Sequence, residues 1–446
     1  VQVATRLDDP EATDLLQQLI RNACVNDGTV ASGNEVRSVD LLQQYLGTSG
    51  LDVERFEPQP GRASLLARIE GSDPAAPTLM LMGHTDVVPV NVDGWSRDPF
   101  SGDLEDGMVW GRGAIDMLNL TASQAVAFRR LADSGFRPRG TLLYLAVADE
   151  EALGTWGARW LVEHEWDAVA TDFVLTESGG FQMPAPHGPR LPVMVAEKGT
   201  FWSKIHVRGT PGHGSQPFRT DNALVTAAEV VRRLHEFRPE TRITDVWRRH
   251  VEAMGYPPEM RDAFLDPDTL RDLCEELPVG MGRLVHACTH TTFAPTVVRG
   301  GTKTNVIPDH VVLEVDIRTL PGQTADDVHA LLRDALGDLY DAVEIESNDD
   351  PSTASPIDTP LWDALTRVTR RLVDGSALVP FLMVGGTDNR FFRRAGAVGY
   401  GFGLFSKRLG FEDYATMFHG NDERVDVESL ALSEQLWRAV AQELLT

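Results

Sequence analysis

The chain has 446 residues, 42% of them hydrophobic and 24% charged, with a formal net charge of −25. That length exceeds one ordinary core, so two or more domains are expected, and the composition is that of a folded globular protein. The negative charge repels phosphate backbones and anionic bilayers, and no run is long enough to span a membrane, so neither nucleic acid nor membrane is an expected partner.

Cys24, Cys274 and Cys288 are odd in number and far apart. No disulfide framework follows, and a reducing cytoplasm is the expected compartment. The first residues include Asp8, Asp9, Glu11 and Asp14 without a basic start, unlike a secretion signal.

In chain order, Leu15, Leu16, Leu19 and Ile20 predict a helix over 11–22, and Val36, Val39, Leu42 and Leu46 a second over 35–46. Strands are expected at 64–69 and 78–82, on either side of a Gly71–Pro74 turn. The second strand runs into Gly83-His84-Thr85-Asp86. On an extended chain, residues two apart face the same side, so His84 and Asp86 lie together at a strand's C-terminal end. That is where open α/β sheets place their ligand crevice. His84 reads either as a metal ligand oriented by Asp86 or as a buried histidine with a satisfied hydrogen bond.

Gly111-Arg112-Gly113-Ala114-Ile115-Asp116 begins like a dinucleotide-binding loop, but its sixth residue is acidic. An aspartate there repels a pyrophosphate and suits a cation. A helix is predicted over 117–131. The apolar run 140–148 then has the pattern of a strand buried on both faces and ends in Asp149-Glu150-Glu151. Three adjacent acids need either a cation or full solvation. A helix over 155–163 and a strand over 172–176 lead to Glu177, the third strand end to carry a candidate ligand. Such recurrence points to a doubly wound α/β domain.

Residues 184–192 have a linker-like Pro/Gly composition. Beyond them a strand (201–208), a helix (222–237), strands (295–299, 311–317), a helix (325–336) and a strand (342–347) follow the split βαβ order. A helical insertion over 246–286 interrupts this unit, and His286 and His290 flank Cys288 at helical spacing. After a linker-like stretch over 348–356 come a helix (361–373), a tight turn (385–388), the polar loop 419–423 and a last helix (430–445). The expected fold is therefore α/β: a doubly wound mixed-sheet catalytic domain (1–197 and 351–446) with an inserted α+β lid/dimerisation domain of split βαβ type (198–350).

His84, Asp116, Glu150, Glu151 and Glu177, with His419 far downstream, have the donor types that hold two divalent ions about 3.5–4 Å apart. Histidine with carboxylate suits zinc, with cobalt and manganese as alternatives. In an adjacent Glu-Glu pair one residue can coordinate while the other stays free as a general base.

Seven motifs in order carry a family resemblance: Gly83-His84-Thr85-Asp86-Val87-Val88-Pro89, Gly111–Met117, Asp149-Glu150-Glu151, Thr176-Glu177-Ser178-Gly179, Gly212-His213-Gly214-Ser215, Thr304–Pro308 and Asp316-Ile317-Arg318. The chain resembles the co-catalytic zinc amidohydrolases that include aminoacylase, glutamate carboxypeptidase, acetylornithine deacetylase and succinyl-diaminopimelate desuccinylase. The resemblance implies that His84 and Glu177 hold one metal, Glu151 and His419 the other, and that Asp116 bridges them. It makes Asp86 the orienting residue of His84 and Glu150 the base. It also implies a cis peptide at Asp116-Met117. Glutamate at 177 resembles the carboxypeptidase, aminoacylase and deacylase branch, whose substrates carry a free carboxylate beside the scissile amide. Asn305 and Arg318 resemble that branch's substrate contacts, with Gly386 and Arg390 as further pocket positions. His213 resembles an oxyanion contact that crosses from a partner subunit, which implies a homodimer through the lid. The implied activity is hydrolysis of an N-acyl amino acid or a C-terminal peptide bond. A biosynthetic deacetylase or desuccinylase, or a catalytically silent binding protein on the same fold, is the alternative.

Overall fold

The computed structural model of the protein describes residues 8–185 and 187–446. Its centre is a nine-stranded mixed sheet. Leu79–His84 lies in the middle, parallel to Leu142–Val147 on one side and to Phe173–Thr176 on the other. All three strands are buried along their whole length, as their unbroken apolar runs require. Val53–Gln59 and Arg62–Ile69 extend the sheet beyond Leu142–Val147. Val398–Gly401, Arg190–Glu197, Ala377–Met383 and Thr353–Ala354 extend it beyond Phe173–Thr176.

Helices cover both faces. Leu118–Asp133 and Val427–Leu445 pack together over one, joined by a hydrogen bond from the Trp437 indole to Ser123 Oγ at 3.0 Å. Ala158–His164 and Asn389–Arg394 contribute to a smaller apolar cluster with Met80, Met82, Leu143 and Leu145. Successive strand residues point to opposite faces, which is why these methionines and leucines are distinct from the Leu79, Leu81 and Tyr144 set facing the larger core.

A second, four-stranded antiparallel sheet has the order Thr292–Gly300, His310–Thr319, Gly199–Arg208, Val343–Asp350. His310–Thr319 alternates buried and half-buried residues, so one face of the sheet is sealed by the helices Ala223–Glu236 and Ala325–Leu336. This unit has its own apolar core.

Several elements depart from the sequence reading. Residues 190–192, the end of the stretch expected to be linker-like (184–192), open a fully buried strand, Arg190–Glu197. Pro192 suggested a loop, but a proline removes only one ladder donor, and its carbonyl still accepts from Gly180 at 2.8 Å. The short strands Ala377–Met383 and Val398–Gly401 gave no periodic signal. The helical insertion is four helices, Asp245–Met254, Pro258–Leu265, Pro267–Glu276 and Val279–Thr289. Trp247, Val251, Phe264 and Val285 join the core of the large sheet, although the segment lies within the smaller unit in sequence. Among the described residues no peptide bond is cis, so the Asp116-Met117 expectation is not met.

Candidate metal centre and active site

Two groups of ligand-type side chains meet at the C-terminal ends of the central strands. His84, Asp116 and Glu177 form one, and Asp116, Glu151 and His419 the other, with the ligand-type atoms of each group within 4.8 Å of one another. Asp116 belongs to both: Oδ1 is 3.1 Å from His84 Nε2, and Oδ2 is 3.1 Å from His419 Nε2. His84 Nε2 is also 3.9 Å from Glu177 Oε2, and His419 Nε2 is 3.2 Å from Glu151 Oε2. His84, Asp116 and Glu177 are buried, whereas the His419 side chain is 55% exposed and closes the site from the solvent side.

Asp86 does not act on His84 as its carboxylate position implied. The His84 Nδ1 partner at 2.9 Å is the Asp86 backbone carbonyl, while the carboxylate stands 3.6 Å away. With Nδ1–H donating to that carbonyl, Nε2 is left as the lone-pair nitrogen facing Asp116. The Asp86 carboxylate instead accepts from the backbone amides of Glu150 and Glu151, at 3.2 and 3.1 Å, and from Asn26 Nδ2 at 2.8 Å. It fixes the Glu-Glu pair against the histidine strand.

Four further residues, Glu423, Arg112, Arg62 and Glu35, hold the constellation, and motif reading assigned them no role. Glu423 accepts from the amides of Gly113, Ile115 and Asp116 and from the Arg112 guanidinium, at 2.6 to 3.0 Å. Arg112 in turn donates to the His419 carbonyl at 3.3 Å. One buried carboxylate thus ties the Asp116 loop to the His419 loop, more than 300 residues apart in sequence. Beneath the Glu-Glu pair, Arg62 lies 2.7 Å from Glu35 and 3.4 Å from Asp149. The only sequence signal for these was polar residues standing beside apolar runs. Asp149, Ser178 and His419 take left-handed φ values of 69°, 71° and 54°. Such backbone costs roughly 1–2 kcal/mol per residue outside glycine. Here it occurs at or next to Glu150, Glu177 and His419.

The site's electrostatics call for positive charge. Burial, then repulsion from Glu177, holds the Glu150 carboxyl well above its usual range. Burial and Asp116 raise Glu151 to about 7, and burial with Asp116 raises Glu177 strongly. Burial opposes a charged His84, yet the Asp116 hydrogen bond and the Glu177 and Glu150 charges raise its pKa well above normal. Hydrogen bonds to Asp116 and Glu151 raise His419 to about 10. Divalent cations would supply that positive charge, and histidine with carboxylate is the donor set that a transition metal of the zinc type takes. The residues fit the group.

The cleft over this cluster has a volume of about 410 Å³ and is lined by Glu150, Trp202, Arg318, Gly386, Arg390 and Phe418 among others. The Glu150 carboxylate makes no hydrogen bond or ion pair among the described residues, in contrast to Glu151. Arg318 donates Nε and Nη2 to the Asp316 carboxylate at 2.7 and 3.1 Å and lies over the Trp202 ring, and its Nη1 has no hydrogen-bond partner among the described residues. Arg390 is buried, bonded to the Thr387 and Leu153 carbonyls and 2.9 Å from Asp350. His213 and Asn305 are not brought to this cleft. They sit together on an exposed two-stranded ribbon, where His213 pairs with Val306 and bonds Ser215.

Two carboxylate–histidine groups at the strand ends of a mixed sheet make this a candidate metal centre of a hydrolase. The fold agrees with a metallo-carboxypeptidase of the M20 family, Sso-CP2 from Sulfolobus solfataricus, at a TM-score of 0.72 and 16% identity, covering 98% of this chain and 99% of that one. It also agrees with the Bacillus subtilis YXEP protein, described as a dinuclear metal binding peptidase from the M20 family, at a TM-score of 0.61 and 15% identity, covering 98% and 99%.

Residues 80–443 match Peptidase family M20/M25/M40, and the chain belongs to that family of metal-dependent amidohydrolases. Among curated relatives, the N-fatty-acyl-amino acid synthase/hydrolase PM20D1 of Xenopus tropicalis is 27% identical over 98% of this chain and 87% of its own. The Homo sapiens PM20D1 is 30% identical over 82% and 74%, and Homo sapiens aminoacylase-1 is 26% identical over 87% and 85%.

Proposed function

We propose that the protein hydrolyses the amide of N-acyl amino acids, releasing a carboxylic acid and a free amino acid, at two zinc ions. The observation that carries this reading is the bridging geometry of Asp116, one oxygen toward each histidine–carboxylate group, beside an unpaired Glu150. His84, Glu177 and Asp116 would hold one ion, and Asp116, Glu151 and His419 the other. Bound there, two such ions lower the pKa of a water and polarise an amide carbonyl.

The chain's own residues do the rest. Glu150 lines the cleft with no hydrogen-bond or ion-pair partner among the described residues, so it takes the proton of the attacking water and returns it to the departing nitrogen. Asp316 holds the Nε/Nη2 edge of Arg318, so its outer Nη1/Nη2 edge is the one offered to the substrate's α-carboxylate. Trp202, Met383 and Phe418 give the cleft an apolar side for the acyl group. The PM20D1 relatives, named for N-fatty-acyl-amino acids, favour a fatty acyl group in that position.

His213 and Asn305 stand away from this cleft, and Phe218, Leu224, Val225 and Val306 are exposed around the same ribbon. We read this surface, within a lid of residues 198–350 between catalytic segments 1–197 and 351–446, as the face of a homodimer. It would deliver His213 to the partner's cleft to steady the oxyanion.

The test is a panel of acetyl- to palmitoyl-amino acids, dipeptides and their C-terminal amides, assayed with and without chelator. N-acyl amino acids should turn over and the amides should not. Chelator-resistant turnover, or amides cleaved as fast as acids, would exclude the proposal.

A further inference from the structure

Beside the catalytic cleft, the helical insertion encloses a second pocket of about 370 Å³. In a chain of net charge −25 its wall is cationic: Arg238, Arg271 and Arg283 line it against a single carboxylate, Glu275. None of the three arginines is neutralised closely. Arg283 makes no ion pair or hydrogen bond among the described residues, and Arg271 stands 3.9 Å from the exposed Asp268. Arg238 donates to the backbone carbonyls of His235 and Phe237, which leaves its charge unpaired.

On the pocket floor the His286 and His290 rings stack at 4.2 Å with planes 3° apart. His290 places Nδ1 3.1 Å from the His286 carbonyl and Nε2 3.0 Å from Thr241 Oγ1. The His286 ring makes no hydrogen bond among the described residues, so its N–H is available. Burial, followed by the nearby Lys198 and Arg238 charges, holds the His286 pKa down. Pro239, Leu277, Val279 and Ala287 add apolar surface to the same wall.

We infer that this pocket is a binding site for an amphiphilic carboxylate, its head held by Arg271, Arg283 and His286 and its apolar body laid against Leu277 and Val279. Guanidinium forks with no carboxylate closer than 3.9 Å among the described residues select an anion. The apolar side selects against one that is polar all round. The site is one residue from the chemistry. Lys198 lines the catalytic cleft, and its ammonium donates to the carbonyls of Ala287 and His290, both in the pocket wall, at 2.9 and 2.8 Å.

Titration calorimetry of the intact metal-loaded protein with octanoate, octanol and inorganic phosphate tests this. Octanoate should bind at least about tenfold more tightly than either control, and Arg271→Gln/Arg283→Gln should weaken it by about tenfold or more. Val279→Glu, which adds a carboxylate at the pocket mouth, should weaken it similarly without touching the arginines. Arg318→Ala, in the catalytic cleft, should leave this binding unchanged. The inference is overturned if octanoate does not bind, if octanol or phosphate matches it, or if binding survives both pocket variants or disappears with Arg318→Ala.

Discussion

At the residue scale, the two glutamates of one dipeptide have different surroundings. Glu151 faces His419 at 3.2 Å, whereas the Glu150 carboxylate has no partner among the described residues and lines the cleft. Glu150→Gln should therefore lower kcat by about 10²–10⁴-fold, the range that general acid–base catalysis supplies, with two metal ions per chain retained by elemental analysis. Glu423 is a different kind of residue. It touches no candidate metal position but carries the Asp116 amide, two other amides and Arg112. Glu423→Ala leaves the buried Arg112 unpaired and should cost about 3–5 kcal/mol in a denaturant melt. Glu423→Gln, which keeps an acceptor oxygen, should recover part of that loss. His84 and Glu151 were legible in the sequence because each ends an apolar run. Glu423 was not, because its value lies in amides more than 300 residues away.

At the element scale, the central strand and the helix behind it are held unusually close at Gly83. A β-carbon there would stand 2.4 Å from Thr121 Oγ1, the hydroxyl that donates to the His84 carbonyl at 2.8 Å. Gly83→Ala should thus destabilise the fold by about 1–3 kcal/mol and weaken metal retention, since the displaced hydroxyl belongs to the same strand–helix seam that sets His84. Competition with a metallochromic chelator measures the second effect. The insertion's first helix, Asp245–Met254, gives a pH signature. His250 is buried against the Pro380 carbonyl at 3.2 Å, and burial lowers its pKa to about 4. The unfolded chain takes up this proton near pH 6.5 and the folded one near 4. The stability from burying the neutral ring is therefore complete above pH 6.5 and is lost as the pH falls toward 4. His250→Asn, which retains a donor for Pro380 but does not titrate, should show a flatter decline of Tm over that window.

At the scale of the whole molecule, the cleft in one chain has a candidate base, ligands and carboxylate fork but no His213. If the partner supplies it, mixing Glu150→Gln and His213→Ala subunits restores one complete site in each mixed dimer. Random pairing then gives about a quarter of wild-type activity from two nearly inactive parents. No recovery on mixing would mean that His213 does not act across the interface. Metal removal should lower Tm as well as abolish turnover, since cations bound only by the folded state stabilise it and the carboxylates otherwise repel.

The sequence by itself determined the parts of this protein that depend on neighbours along the chain. Uninterrupted apolar runs defined the inner strands, alternation defined the smaller sheet, and abrupt acids and histidines at run ends marked the ligand positions. Only the tertiary structure decided which of those acids share one oxygen geometry and that the Asp86 backbone rather than its carboxylate meets His84. It also decided that residues 190–197 are buried strand and that the insertion packs on the larger core. Those outcomes rest on contacts between segments far apart in sequence, where burial and hydrogen-bond satisfaction override the local preferences that a short stretch of residues expresses.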